Sequence, residues 1–321
     1  MDAVTAQAIP FPNTDPDSLA SLVRAVRETG YSFTTVTPAT HAHVNARPQN
    51  ARARNLRDVL GWSRPFSPEI LPEVVLTALE RAGAVSAQGD VRTPNVRLSS
   101  LDGELFLHSA YPPSAADAVF FGPDTLRFAA AVVAHLEQRE APVRRAVDIG
   151  CGSGAAGICI AKRAPDAEVA LVDINPAALR AAAVNARSAG VGNVRLHRSD
   201  MLTAVEGEFD LIVSNPPFMI DRGARAYRHG GGPLGAGLSL AVVEAARARL
   251  APGGSLVLFT GSAIVEGRDP FREAATALCA EAGLSWTYRE FDPDEYGEEL
   301  ADPAYGDVER IALVVLTATR S

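Results

Sequence analysis

Lysine is almost missing from this chain. Its 321 residues hold Lys162 alone against 29 arginines. Beside so much alanine, that imbalance reads as genomic base composition rather than chemistry. Cysteine is scarce too: Cys151, Cys159 and Cys279, an odd number with no Cys-x-x-Cys pair. That scarcity excludes a disulfide scaffold, predicts no metal site, and fits a cytoplasmic location. No apolar run approaches the roughly 18 residues that cross a bilayer. The start, MDAVTAQAIPFPNTD, has neither a basic stretch nor an apolar one, so neither a signal peptide nor membrane attachment is expected. Net basic charge is also lacking. The formal charge of −8 argues against general affinity for nucleic acid or lipid. What is present is ordinary globular composition, 47 % hydrophobic and 21 % charged. The length exceeds the roughly 100–200 residues of one domain, so two are expected.

The first fifteen residues lack periodicity and contain Pro10 and Pro12, which predicts a loose arm. Asp17-Ser18 is a helix cap signal before Leu19, Leu22, Val23 and Val26, and Gly30 is the stop. Residues 41–57 gather Arg47, Arg52, Arg54 and Arg57 with no acid among them. Apolar residues at helical spacing predict a helix over 68–82. Alternating VRLSS and ELFLHS around Asp102-Gly103 predict a hairpin. Helix followed by hairpin resembles a winged-helix module. Residues 1–110 are thus read as a helical, winged-helix-like domain for substrate recognition.

From residue 111 to 321 the pattern changes to strict alternation. Strands are predicted at 144–149, 168–173, 193–197, 209–214, 254–260, 285–291 and 309–318. Helices are predicted at 124–138, 154–164, 176–188, 237–250 and 268–282. Alternation with apolar strands implies an α/β fold, doubly wound around a mostly parallel sheet.

The first of these strands runs into VDIGCGSGAAG. Gly150, Gly152 and Gly154 permit a tight turn and close approach of a ligand to the backbone, and the next helix starts there with free N–H groups. Nineteen residues beyond Gly154, Asp173 ends the second strand in LVDIN, where a carboxylate can accept from both hydroxyls of a ribose. The glycines alone satisfy the dinucleotide pattern G-x-G-x-x-G. Asp148 pulls away from that reading, because a buried acid there repels a pyrophosphate and suits an ammonium group. Asp200 and Met201, after the third strand, can read an exocyclic amine and lie against an adenine face.

These residues together resemble the class I, Rossmann-like S-adenosylmethionine-dependent methyltransferases, over roughly residues 115–321. The resemblance implies a seven-stranded sheet of order 3-2-1-4-5-7-6 with the seventh strand antiparallel. It implies S-adenosylmethionine as cofactor, its methionine part held by the segment from Asp148 to Gly154 and thus by Gly150, Cys151 and Gly152. Asp173 matches the ribose acid, Ile174 lies beside the adenine, and Asp200 reads the adenine amino group. The segment FFGPDTLRFA resembles the P-x-[DE]-T element of glutamine-type enzymes and would lay Pro123, Asp124 and Thr125 over the cofactor.

The fourth strand, DLIVS, ends in Asn215-Pro216-Pro217-Phe218. The prolines fix φ and remove donors, leaving carbonyls of Ser214 and Pro216 free to accept. With the Asn215 side chain they can orient an NH₂ group, and Phe218 offers a flat face to a planar acceptor. The motif is similar to the N-P-P-[YF] element of the amino-methyltransferases. It implies methyl transfer to a planar nitrogen, either a release-factor glutamine amide or an exocyclic amine of a ribosomal RNA base, and Phe218 at the last place resembles the RNA guanine enzymes more than the glutamine enzymes. Asn215 borders cofactor and acceptor alike. His229 could take a proton or be a surface residue of its glycine-rich loop. Gly230–Gly232 suggest a flap, Tyr296 a second aromatic wall, and the acidic residues of 290–299 a restriction on entry or a solvated loop. Three rivals stand beside this reading. One is a small-molecule N- or O-methyltransferase, and another is a binding protein on an inactive cofactor fold. The third is an NAD-dependent oxidoreductase, for which Lys162, the lone lysine, is badly placed.

Overall fold

A computed structural model describes residues 10–221, 223, 225 and 227–321. Residues 1–9 of the expected arm lie outside the described residues. The rest of that arm is not loose. Phe11 is buried in a hydrophobic core, and the Thr14 hydroxyl donates to the Ala82 carbonyl at 2.7 Å.

The chain divides into two compact units. One runs to Leu126 and takes in Gly152–Ala155 and Asn175–Gly192; the other holds Arg127–Cys151, Ala156–Ile174 and Asn193–Ser321.

In the first unit, α1 spans Pro16–Arg27. Its cap is Asp15, whose carboxylate accepts from the Ser18 N–H at 3.2 Å. The helix starts ahead of the expected Asp17-Ser18 because Pro16 is preorganised for the first helical position. Short helices α2 (Pro38–Asn45) and α3 (Leu56–Leu60) lie at the arginine-rich stretch. The helix expected over 68–82 is split. Pro68–Ile70 forms a 3-10 turn, Leu71 is extended, and α4 runs from Glu73 to Arg81. Pro72 is the cause: it lacks an N–H and drives the residue before it out of the helical region.

Two hairpins follow, one more than expected. β1 (Val85–Gln88) pairs with β2 (Val91–Pro94) across Gly89-Asp90, a two-residue turn signal present in the sequence. β3 (Val96–Leu101) pairs with β4 (Glu104–Ser109) as the pattern predicts. Asp102 and Gly103 both adopt positive φ, as a tight hairpin turn requires. The core of this unit joins Leu19, Leu22 and Val26 to Leu79, Leu107 and the helix Pro176–Ser188.

The second unit is built on a sheet, and the elements along this part of the chain follow in order. They are α5 (Pro123–Gln138, which crosses from the first unit), β5 (Arg145–Ile149), α6 (Ala155–Arg163), β6 (Glu168–Asp173), α7 (the helix Pro176–Ser188 above) and β7 (Val194–Arg198). After these come β8 (Phe209–Ser214), α8 (Gly237–Arg249), β9 (Leu250–Val265), α9 (Pro270–Glu281), β10 (Leu284–Glu295) and β11 (Val308–Arg320). Strand order is β10-β11-β9-β8-β5-β6-β7, with β11 antiparallel to both neighbours and the other pairs parallel. Counted from β7, that is the 3-2-1-4-5-7-6 order the resemblance implies. Ala146, Val147, Asp148 and Ile149 are all buried, so β5 is covered on both faces. On one face α8 and α9 complete a core with Val147, Ile212, Val243, Leu256, Ala275 and Val314.

The strand order reverses beside β5, between β6 and β8, and the crevice outside its carboxyl end is where such sheets bind ligands. No described helix is long and apolar enough to cross a membrane. Among the described residues no group of His, Cys, Asp and Glu side chains is arranged to hold a metal ion.

Candidate active site

Asp148 is the one charged residue in the buried run of β5. Its Oδ2 accepts from the Gly157 N–H at 2.9 Å; its Oδ1 is buried with no partner. Burial pushes this carboxyl up to about 7, the Gly157 N–H opposes the shift, and the Asp173 charge adds to it. An unpartnered buried acceptor costs free energy until a donor arrives. A cationic donor such as an ammonium group answers both that and the raised affinity for a proton.

The loop after Asp148 turns on Gly150, Gly152 and Gly154, all at positive φ. Gly157 has a different reason to be glycine. A Cβ there would strike the Leu171 side chain and the Asp148 Cβ, so it lets α6 start close against the strands. The Cys151 N–H donates to the Val172 carbonyl at 2.9 Å, tying the loop to β6. Its thiol is buried and held well above the ordinary thiol range by that burial, so Cys151 serves as a small neutral residue. Asn185 is a support the sequence reading missed. Its side chain accepts from the Leu107 N–H and donates to the carbonyls of Leu107 and Ser153, at 2.7, 3.0 and 2.9 Å. A polar residue on the buried face of an otherwise apolar helix was the available signal.

Asp173 is half-buried at the end of β6, and Ile174 beside it is 54 % exposed. The Ser199 N–H donates to the Asp173 carbonyl at 3.2 Å, which brings the segment of exposed Asp200 and half-buried Met201 beside β6. Met201 holds a positive φ of 46°. Thr125 closes a turn: its hydroxyl accepts from the Gly122 N–H at 3.2 Å in the first turn of α5.

At the end of β8 the buried Ser214 hydroxyl donates to the Ile149 carbonyl at 2.8 Å, fixing β8 against β5. Asn215 follows, and its Oδ1 is a second buried acceptor with no partner. Pro216 and Pro217 carry the chain to Phe218, whose ring meets Tyr296 edge-on at 5.8 Å. The Tyr296 ring therefore lies against that of Phe218.

Gly230 and Gly235 answer to packing. A Cβ on Gly230 would lie 2.7 Å from the Phe218 Cα and the Pro217 carbonyl, and one on Gly235 would meet the Phe218 backbone. His229 Nδ1 accepts from the Asp221 N–H at 3.2 Å, so this ring braces the loop. Asp221 accepts from the Arg225 backbone and guanidinium and lies near Arg228. The Arg225 hydrogen bonds hold its carboxyl down to about 2. Arg228 also pairs with Glu299, and Arg127 with Glu295 and Asp292. Much of the acidic stretch is thus neutralised by arginine.

Arg47, Arg52, Arg54 and Arg57 are all exposed. Asp58 belongs chiefly to the buried Arg64, at 2.5 Å, with Arg54 at 3.6 Å. Arg57 lies over the Phe33 ring. No ion pair of Arg47 or Arg52 occurs among the described residues.

A family model described as methyltransferase small domain matches residues 116–265. A release factor glutamine methyltransferase of Deinococcus radiodurans is 33 % identical over 218 residues, 65 % of this chain and 74 % of that protein. A ribosomal RNA small subunit methyltransferase C of Haemophilus influenzae is 42 % identical over 74 residues, 23 % of this chain and 22 % of that protein. Among solved structures, M. jannaschii TYW2 in complex with AdoMet aligns at 14 % identity and a TM-score of 0.48. The alignment covers 74 % of this chain and 92 % of that one. With the motifs, the sheet order and a relative matched over most of its length, the chain belongs to the methyltransferase small-domain family of S-adenosylmethionine-dependent methyltransferases.

Proposed function

We propose that this enzyme methylates a planar nitrogen, and that the acceptor is the side-chain amide of a glutamine in a protein of the cytoplasm. The observation that carries the reading is the buried, unpartnered Asn215 Oδ1 at the end of β8, just ahead of Phe218 in the chain. S-adenosylmethionine supplies, when bound, an electrophilic methyl group on a sulfonium centre. The chain's own residues bind and orient. Asp148 receives the ammonium group, and Gly150, Cys151, Gly152 and Gly154 border the methionine part. Asp173 accepts from the ribose hydroxyls, Ile174 and Met201 flank the adenine, and Asp200 accepts from its amino group.

Asn215 Oδ1 and the Pro216 carbonyl accept the two N–H bonds of the acceptor. That holds the NH₂ group in one plane and leaves its lone pair perpendicular to that plane. Pro217 fixes the loop, and Phe218 stacks on the acceptor with Tyr296 behind it. Orientation of this kind accounts for most of what a direct transfer needs. No general base is required, and His229 is already engaged by Asp221.

The amide is favoured over an RNA base because the glutamine-modifying relative is matched over 74 % of its length. The exposed arginines between 47 and 57 favour the second reading, an exocyclic amine of ribosomal RNA reached through the N-terminal domain. Transfer of tritiated methyl into a cell extract separates them. Label removed by protease and resistant to ribonuclease is expected; the reverse result replaces the amide with RNA.

A further inference from the structure

Pro216 and Pro217 have no N–H, so the acceptor loop is anchored largely by the donors that follow Phe218. The Met219 N–H donates to the Arg228 carbonyl at 3.1 Å, and the Asp221 N–H to His229 Nδ1 at 3.2 Å. Ile220, between them, donates to a different part of the chain. Its N–H reaches the Tyr305 hydroxyl at 2.8 Å, across 85 residues of sequence.

Tyr305 ends the 3-10 turn Pro303–Tyr305 in the connection between β10 and β11. It is 2 % exposed. It packs with Met219 and Ile311 in a small core of its own, and Phe218, Ile220, Tyr296 and Leu300 lie partly buried against that core. Asp302 fixes the turn: its carboxylate accepts from the Ala304 N–H and its carbonyl from the Tyr305 N–H, both at 2.9 Å. Burial raises the pKa of the phenol, so the hydroxyl keeps its hydrogen. It donates that hydrogen to the Met219 sulfur at 3.5 Å while accepting from Ile220. A phenylalanine could fill the same core, but it would leave the Ile220 N–H without this acceptor. Packing therefore accounts for the ring, and the backbone of the acceptor loop accounts for the hydroxyl. The same connection brings Tyr296 against the Phe218 ring and Glu299 onto Arg228.

We propose that Tyr305 is a positioning residue for methyl transfer. By accepting from the Ile220 N–H it fixes the backbone beside Phe218, and through it the plane in which the ring meets the acceptor. This rests on the reading that Phe218 stacks on the acceptor. Tyr305 acts on the rate of transfer and not on cofactor binding.

Tyr305→Phe in the full-length protein tests this. Initial rates of tritiated methyl transfer into a cell extract count whichever acceptor is modified. The maximal rate should fall about tenfold, within what a displacement of up to about 1 Å can cost. The KM for S-adenosylmethionine should stay within about twofold. In a Phe218→Leu background the same substitution should cost no further rate, because two residues acting as one unit are not additive. Hydrogen exchange at the Ile220 amide should quicken by about tenfold or more in Tyr305→Phe. A wild-type rate in Tyr305→Phe, or losses that simply multiply in the double variant, overturns the proposal and leaves the acceptor reading standing. A Phe218→Leu protein as fast as wild type overturns the acceptor reading, and the proposal with it. The wild-type protein gives a test even if Tyr305→Phe does not fold: an Ile220 amide that exchanges as fast as an unprotected one overturns the proposal.

Discussion

Gly261 of β9 lies directly beneath the ring of Phe218. A Cβ at 261 would fall 2.6 Å from the ring Cε2 and nearer still to Cδ2, so the absence of a side chain there is what lets the ring lie in its place. The backbone of Gly261 is ordinary strand, and alanine is conformationally acceptable there. Gly261→Ala should therefore keep cofactor affinity and push the ring aside. A displacement of about 1 Å can cost up to roughly 100-fold in rate, so a loss of at least tenfold in kcat/KM is expected. Steady-state kinetics beside calorimetric cofactor binding checks it. An unchanged rate would mean that Phe218 does not set the acceptor's position.

The Asp148 carboxyl makes cofactor binding pH-dependent. Its folded-state value of about 7 lies above the ordinary 3.8. In the ligand-free protein the neutral form is therefore favoured, and that contribution to stability is full below pH 3.8 and gone once the pH passes 7. Binding an ammonium group runs the other way, because it needs the carboxylate. Affinity should climb by up to about tenfold per pH unit below 7 and flatten above it. Titrations at pH 6 in buffers of different ionisation enthalpy should show proton release. Asp148→Asn should bind weakly and show no such slope; a slope that survives the substitution assigns the titration to another group.

Asp173→Ala should weaken S-adenosylmethionine through the ribose. Two hydrogen bonds to a charged group are at stake, and a loss of about 1.5–3 kcal/mol is expected. Calorimetry with S-adenosylhomocysteine reads it directly. Affinity within twofold of wild type would remove Asp173 from the cofactor site.

Asn215→Ala should separate binding from chemistry. The acceptor loses one of its two carbonyl partners, so activity should fall by roughly 100-fold or more, while cofactor affinity holds. Equal losses in both would place Asn215 on the cofactor instead.

Arg52 and Arg54 discriminate the partner. If Arg47, Arg52, Arg54 and Arg57 all contact phosphates of single-stranded RNA, log K against log salt should slope by roughly −3, and Arg52→Ala with Arg54→Ala should flatten it by about 1–1.5. A release factor should give a much shallower slope that the double variant leaves alone. Binding measured across a salt series for both partners decides. A steep slope with RNA only, flattened by about 1–1.5 in the variant, would falsify the amide reading.

The sequence by itself determined the sheet and the family. Strand β5 is readable because Ala146-Val147-Asp148-Ile149 must be apolar on both faces, so Asp148 stands out as an acid where burial is compulsory. The glycines that follow, Asp173 at the next strand end and the prolines after Asn215 are backbone requirements, and backbone requirements are local and leave a signature in one dimension. Proline also carried the limit of that reading, since Pro72 divided what spacing alone joined into one helix.

Only the tertiary structure decided which groups are left without partners. Asp148 Oδ1 and Asn215 Oδ1 are meaningful because burial has removed water and no neighbour has replaced it. Long-range packing also decided that Gly261 serves Phe218, that Asn185 supports Ser153, and that the acids near 295 are held by Arg127 and Arg228. Each relationship joins residues far apart along the chain. Its energy depends on desolvation and contact in three dimensions, for which residue spacing holds no record.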